Sequence, residues 1–154
     1  MVSSKELRAA SETNHQSRPA HLQQVHTSVS LHNTQQLCSM CKNTQTPLCS
    51  SAHFVMHADS KPIAKGHVLL ISKRHVSSYF ELTAQEAVDL YAFTQQVKAY
   101  IDKLYHPDGY NIGINDGEWA GQSVPHLHIH VIPRYKGDAA APAGGVRHLL
   151  VPRL

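Results

Sequence analysis

The sequence predicts an α+β domain in which an antiparallel β-sheet carries one long packed helix. Three observations lead there: strand-like apolar runs outnumber helical segments, the connections between them are mostly short, and one segment alone has both the period and the cap of a long helix. A chain of 154 residues is large enough for one domain with a substantial core.

The amino-terminal stretch stands apart from that domain. Residues 1–36 are rich in Ser, Thr, Gln, Asn and His, with apolar positions too scattered to build a core. They read as a disordered extension, and the folded domain is expected over residues 37–154. No Asp or Glu occurs between Glu12 and Asp59, as in an organelle address. The basic residues of the leader are only Lys5, Arg8 and Arg18, which argues against that reading.

Phe54 to His57 has the look of a short strand, and His67 to Ser72 (HVLLIS) that of a second, buried one. Thr83 followed by Glu86 fits a capping box. From there Ala87, Leu90, Tyr91, Thr94, Val97, Ile101 and Leu104 recur at helical spacing until Pro107 stops the pattern. Asp108-Gly109 is a turn, Tyr110 to Asn115 a further strand, then a glycine-bearing loop. His126 to Pro133 is the last strand.

Composition narrows the function classes. Charged residues make up 16% of the chain and the formal net charge is +3, so no broad basic surface for nucleic acid is expected. Three cysteines, Cys38, Cys41 and Cys49, do not make a disulfide framework, and a reducing compartment is the simpler reading. No run of about 18 apolar residues occurs, and the amino terminus lacks the apolar centre of a signal peptide. The expectation is a soluble, cytoplasmic protein without a membrane partner. No internal repeat is evident. The thirteen histidines are the unusual feature.

Three of them fall in HLHIH, residues 126–130. Side chains of a strand alternate between faces, so His126, His128 and His130 are expected on one face and Leu127, Ile129 and Val131 on the other. Three imidazoles side by side are costly to bury unless each has a partner, so packing alone explains them poorly. The preceding NDGEWAGQSVP, residues 115–125, contains Gly117 and Gly121, which let backbone N–H groups approach an anion, and Gln122 and Ser123 add side-chain donors. A neutral imidazole can attack phosphorus while its neighbours stabilise the phosphoryl oxygens, so these residues point to phosphoryl or nucleotidyl transfer. A zinc or iron site on the same histidines is the competing chemistry, and spacing leaves it open. The glycine loop favours phosphate.

GQSVPHLHIHVIPR resembles the signature of the histidine-triad (HIT) superfamily, and PIAKGHVLLISKRHV, residues 62–76, resembles its upstream block. The resemblance covers roughly residues 38–135. Within the superfamily, GYNIGINDGEWAGQ and the Pro-Arg after the last strand are closer to the Fhit-like and prokaryotic dinucleoside-polyphosphate-hydrolase branches than to the Hint-like one. It implies a HIT-type antiparallel sheet, pairing of two copies into a homodimer, and hydrolysis at the α-phosphate of a purine nucleotide conjugate. The substrate class is dinucleoside polyphosphates or nucleoside phosphoramidates. By the same resemblance His128 is the nucleophile that becomes nucleotidylated, with His130 and His67 in support. Asp59 falls at the ribose-binding position, Asn115 near the phosphates, and Ser123 against phosphate or the leaving group. Transfer to a phosphate or sugar phosphate instead of water, or nucleotide binding with little catalysis, are the alternatives.

Cys38 and Cys41 form CSMC, half of a zinc site on spacing alone. Some superfamily members pair such cysteines with two histidines that map onto His75 and His126, which implies a structural zinc, with Cys49 as a possible substitute ligand. Trp119 could stack on a base or simply anchor its loop. The tail, DAAAPAGGVRHLLVPRL, ends in a short apolar segment that could pack near the site or across a dimer.

Overall fold

The computed structural model describes residues 38–140 and 142–145. The expected disordered extension and the apolar end of the tail lie outside the described residues. The strands are β1 (Cys49–Ser50), β2 (Phe54–Ala58), β3 (Val68–Ser72), β4 (Gly109–Gly113) and β5 (His128–Arg134), and the helix is α1 (Ala84–Tyr105). All pair antiparallel in one five-stranded sheet of order β1-β2-β3-β5-β4. The α+β expectation therefore holds. Strand β1 and 3₁₀ turns at Tyr79–Glu81 and Glu118–Ala120 are additions to it. Among the described residues, no helix is long and apolar enough to cross a membrane.

The sheet presents two chemically different faces because of the strand period. Phe54 and Met56 of β2, Val68 and Leu70 of β3, and Ile129 and Val131 of β5 join Leu90, Phe93, Val97 and Ile101 of α1 in one core, with Leu127 just ahead of β5. Each such side chain contributes about 1.5–3 kcal/mol on leaving water. The opposite face carries His128 and His130, which lie across the ladder from Ile71 and Leu69.

The helix begins as its sequence dictates. Thr83 accepts from the Glu86 amide, and the Glu86 carboxylate accepts from the Thr83 amide. The apolar stripe differs in part from the expected one. Phe93 is fully buried, whereas Tyr91 is 71% exposed and Leu104 50% exposed. The stripe running through Leu90, Phe93, Val97 and Ile101 faces the sheet, and positions one residue further round the helix turn away from it. The strand limits also shift: β4 starts at Gly109 within the expected turn, and β5 starts at His128 rather than His126.

Glu86 also ties the helix to the chain leaving β3. Arg74 donates to both its carboxylate oxygens, at 2.8 and 2.7 Å, and the acid is buried. The guanidinium, with the Thr83 amide next in weight, holds the Glu86 carboxyl down at about 2, against an ordinary 4.5. Gly66, at φ 83°, turns the chain into β3 under the Tyr105 ring, where an added Cβ would sit 2.8 Å from Cδ2. Only glycine fits both the left-handed backbone and that close approach, and it places the next residue, His67, at the sheet.

Candidate functional site

Two polar clusters flank the start of β5. The first gathers Asp59, which follows β2, His67, which precedes β3, and His130 of β5. His67 Nε2 and His130 Nδ1 are 3.0 Å apart, and Asp59 Oδ2 lies 3.4 Å from the former and 3.6 Å from the latter. The Ile63 amide donates to His67 Nδ1 at 3.4 Å, so His67 keeps its proton on Nε2 and points it at His130. His130 accepts at Nδ1 and retains its own proton on Nε2. Burial is the main cause pushing the pKa of both imidazoles down, with the Asp59 carboxylate pulling the other way. They are thereby kept neutral over a wider range of pH.

His128 is next to this pair and nearly buried, its ring 5.3 Å from that of His130. Its Nδ1 is 2.8 Å from the carbonyl oxygen of His126. A carbonyl only accepts, so the proton sits on Nδ1 and the Nε2 lone pair is left bare. That tautomer is the nucleophilic one toward an electrophile approaching Nε2.

The second cluster is made of Cys38, Cys41, His75 and His126, whose ligand atoms all lie within 4.8 Å of one another. Cys38 Sγ and Cys41 Sγ are 3.3 and 3.4 Å from His126 Nδ1, and His75 Nδ1 is 3.3 Å from both Cys41 Sγ and His126 Nδ1. Ligands held about 2.0–2.3 Å from a tetrahedral zinc stand roughly 3.3–3.8 Å apart, so the donor set fits that ion. His126 Nε2 donates to Ser72 O at 2.7 Å, which bares Nδ1 toward the thiols. The Cys41 thiol is pushed up first by burial and then by Cys38, a penalty that a dication in their midst would cancel.

The strand expected from His126 begins only at His128, and the three histidines divide between the two clusters. His126 lies ahead of β5, outside the ladder, and its ring turns to the cysteines. Cys49 sits on β1 against Met56 and outside the tetrad, so the substitute-ligand alternative is not realised.

The loop ahead of the histidines is bound to the 3₁₀ turn after β3. Gln122 accepts the Gly117 amide at 2.8 Å and donates to Ser77 O at 2.7 Å, so both ends of its amide are engaged within the protein. Asp116 accepts from Ser78 Oγ and the Tyr79 amide at 2.9 and 2.7 Å. Asp116 escaped sequence reading because nothing local marks its partners, which lie 37 and 38 positions away. Asn115 reaches Gly121 O at 3.5 Å, Ser123 is exposed, and Trp119 is fully exposed.

The bis(5'-nucleosyl)-tetraphosphatase of Schizosaccharomyces pombe is 47% identical over 88 residues, covering 57% of this chain and 47% of that protein. The bis(5'-adenosyl)-triphosphatase of Dictyostelium discoideum is 42% identical over 78 residues, covering 51% of this chain and 52% of that one. The matches thus span about half the length of these relatives. A Zn-bound histidine triad family protein of Mycobacterium smegmatis superposes with a TM-score of 0.61 at 29% identity, over 70% of this chain and 81% of that one. The family model of the HIT domain matches residues 40–137, and the five-stranded antiparallel sheet with its packed helix is the fold of its solved neighbours. The chain belongs to the HIT domain family.

Proposed function

We propose that this protein is a hydrolase that cleaves at the α-phosphate of dinucleoside polyphosphates, or of nucleoside phosphoramidates, through a nucleotidyl group on His128. The observation that carries the reading is the bond from His128 Nδ1–H to the His126 carbonyl, which leaves Nε2 as a lone pair inside a buried histidine cluster. The names of two relatives, a tetraphosphatase and a triphosphatase acting on dinucleoside polyphosphates, support the substrate class.

In this mechanism Nε2 of His128 forms a bond to the α-phosphorus as the bond to the leaving group breaks, a polyphosphate oxygen leaving as the anion and an amine nitrogen leaving after taking a proton from water. His130, with its proton on Nε2, donates to a phosphoryl oxygen. His67 holds His130 in that tautomer through the contact at 3.0 Å. Water then cleaves the phosphorus–nitrogen bond, releasing the mononucleotide and restoring His128. Asp59 accepts from ribose hydroxyls, Asn115 and Ser123 meet the phosphates, and Gln122 acts by holding the loop in place. Cys38, Cys41, His75 and His126 would hold zinc, which would cross-link the start of the domain to β5 and supply no step of the chemistry. The Zn-bound relative supports that assignment.

Two copies pair along β4. That strand is a sheet edge with Ile112 53% exposed, and the outer face of α1 exposes Val88 and Tyr91. Light scattering on the full chain should give twice its mass, and a single-chain mass would refute the pairing. For the chemistry, acid quenching within the first turnover of radiolabelled diadenosine tetraphosphate should trap label on the protein and lose it in His128→Ala. Release of mononucleotide with no trapped label, or label persisting in that variant, contradicts the mechanism. Added phosphate or sugar phosphate tests transfer: products other than the mononucleotide would make the protein a nucleotidyltransferase.

A further inference from the structure

The two clusters meet in one residue. The imidazole of His126 closes the Cys38, Cys41 and His75 group, and its main-chain carbonyl accepts the Nδ1 proton of His128 at 2.8 Å. That carbonyl lies ahead of the β5 ladder, which begins at His128, and the following carbonyl, of Leu127, accepts from the Ser72 amide at 3.2 Å. Within its own segment the His126 amide bonds no further than Val124 O. Further restraints come from the chain around the tetrad. The next amide, of Leu127, donates to Val76 O at 2.6 Å, and Val76 follows His75 directly. The His126 ring is held from the other side by Ser72 O. The peptide that decides where His128 keeps its proton thus begins at one member of the tetrad, His126, and is bonded to the residue that follows another, His75.

We propose that closure of the Cys38–Cys41–His75–His126 tetrad by a metal ion sets the tautomer of His128 through the main chain of His126. With the tetrad open, the His126 ring and the segment after His75 lose one of their braces, the Nδ1–H···O bond to the His126 carbonyl loosens, and the proton exchanges toward Nε2. A His128 protonated on Nε2 has no lone pair facing phosphorus. Only the consequence for turnover rests on the reading of His128 as nucleophile. The coupling itself is a statement about protons and main chain, and makes His126 a positioning residue.

The test uses the full chain with ¹⁵N-labelled histidine, loaded with zinc or stripped by a chelator, with His128 assigned from its loss in His128→Gln. In zinc-loaded protein His128 should show an unprotonated Nε2. In stripped protein, and in His75→Ala, its two nitrogens should move toward the averaged values of mixed tautomers. His75→Cys, which keeps four ligands, should restore zinc content and the tautomer together, while Cys49→Ser should leave both unchanged. Should stripping unfold the chain, substitution of cadmium for zinc gives a folded comparison, because the larger ion must move His126 and shift the His128 Nδ1 signal. His128 nitrogens that do not respond to stripping, to His75→Ala or to cadmium overturn the coupling. Turnover of diadenosine tetraphosphate separates the two ideas. Stripping should lower kcat at least about tenfold with KM within about twofold. A tautomer that moves with no change in kcat keeps the coupling and removes His128 as nucleophile. A normal kcat in loaded protein with metal-insensitive His128 signals does the reverse.

Discussion

The clusters on either side of His126–His130 use the same side chain for opposite ends. In the tetrad, His126 is bared at Nδ1 by donating through Nε2 to Ser72 O, and it faces thiols. Two residues on, His128 is bared at Nε2 by donating through Nδ1 to a carbonyl, and its ring lies against that of His130, which the Asp59 carboxylate approaches. What differs is which ring nitrogen meets a main-chain acceptor. An imidazole becomes a ligand or a nucleophile according to where its proton is parked, and the fold parks it.

The sharpest way to break this contrast is to remove His128. His128→Ala should lower kcat for diadenosine tetraphosphate by on the order of 10⁴-fold or more, with zinc content and thermal stability close to those of the parent. A residual rate within tenfold would show that the two clusters do not divide the labour in this way. The converse change, Cys38→Ser with Cys41→Ser, should abolish zinc binding by elemental analysis and cost several kcal/mol in urea unfolding. Retained metal at one per chain would dissolve the tetrad.

A third change weakens the frame that presents His75. The Arg74–Glu86 pair holds the chain after β3, and a carboxyl held at about 2 against an ordinary 4.5 is worth on the order of 3 kcal/mol at neutral pH. Its folded value is depressed, so this contribution is fully present above about pH 4.5 and is lost as the pH falls toward 2. Glu86→Gln should therefore cost about 2–3 kcal/mol in urea unfolding at pH 7, with the gap from the parent shrinking through that acid window. An equal gap at pH 3 and pH 7 would remove the ion pair as its cause.

The smallest effect sharpens the carboxylate side. Burial lowers the His67 ionisation below 6.5, while Asp59 partly opposes it. Because the unfolded chain binds the proton more readily, His67 makes stability rise with pH from its folded value up to 6.5. Asp59→Asn should push the His67 midpoint, followed by NMR, further down and widen that window toward acid. It should also raise KM for the nucleotide about threefold, because the amide keeps only one of the two oxygens that can accept from the ribose hydroxyls. An upward or unmoved His67 midpoint would mean that Asp59 does not act on it.

Much of this was legible because it is local. The Thr83–Glu86 capping box lies within one turn, the strands announce themselves by short apolar runs, and the motif residues cluster within a few positions. The helix stripe was read only in part, because Tyr91 and Phe93 are both large and apolar and only the sheet decides which one is covered. Asp116 was missed for the same reason, its partners Ser78 and Tyr79 being supplied by another loop. For His126, alternation placed it with its neighbours, but the ladder starts two residues later.

By itself, then, the sequence determined the α+β class, the histidine and cysteine inventory, and the spacing that makes a tetrad and a triad available. The tertiary structure decided which carbonyl each imidazole donates to, and so which nitrogen is bare. It also decided that Cys49 stays outside while Cys38 and Cys41 close on His75 and His126, across up to 88 positions of chain. The physical reason is that a tautomer is selected by a single hydrogen bond to a positioned group, and only tertiary packing positions such groups.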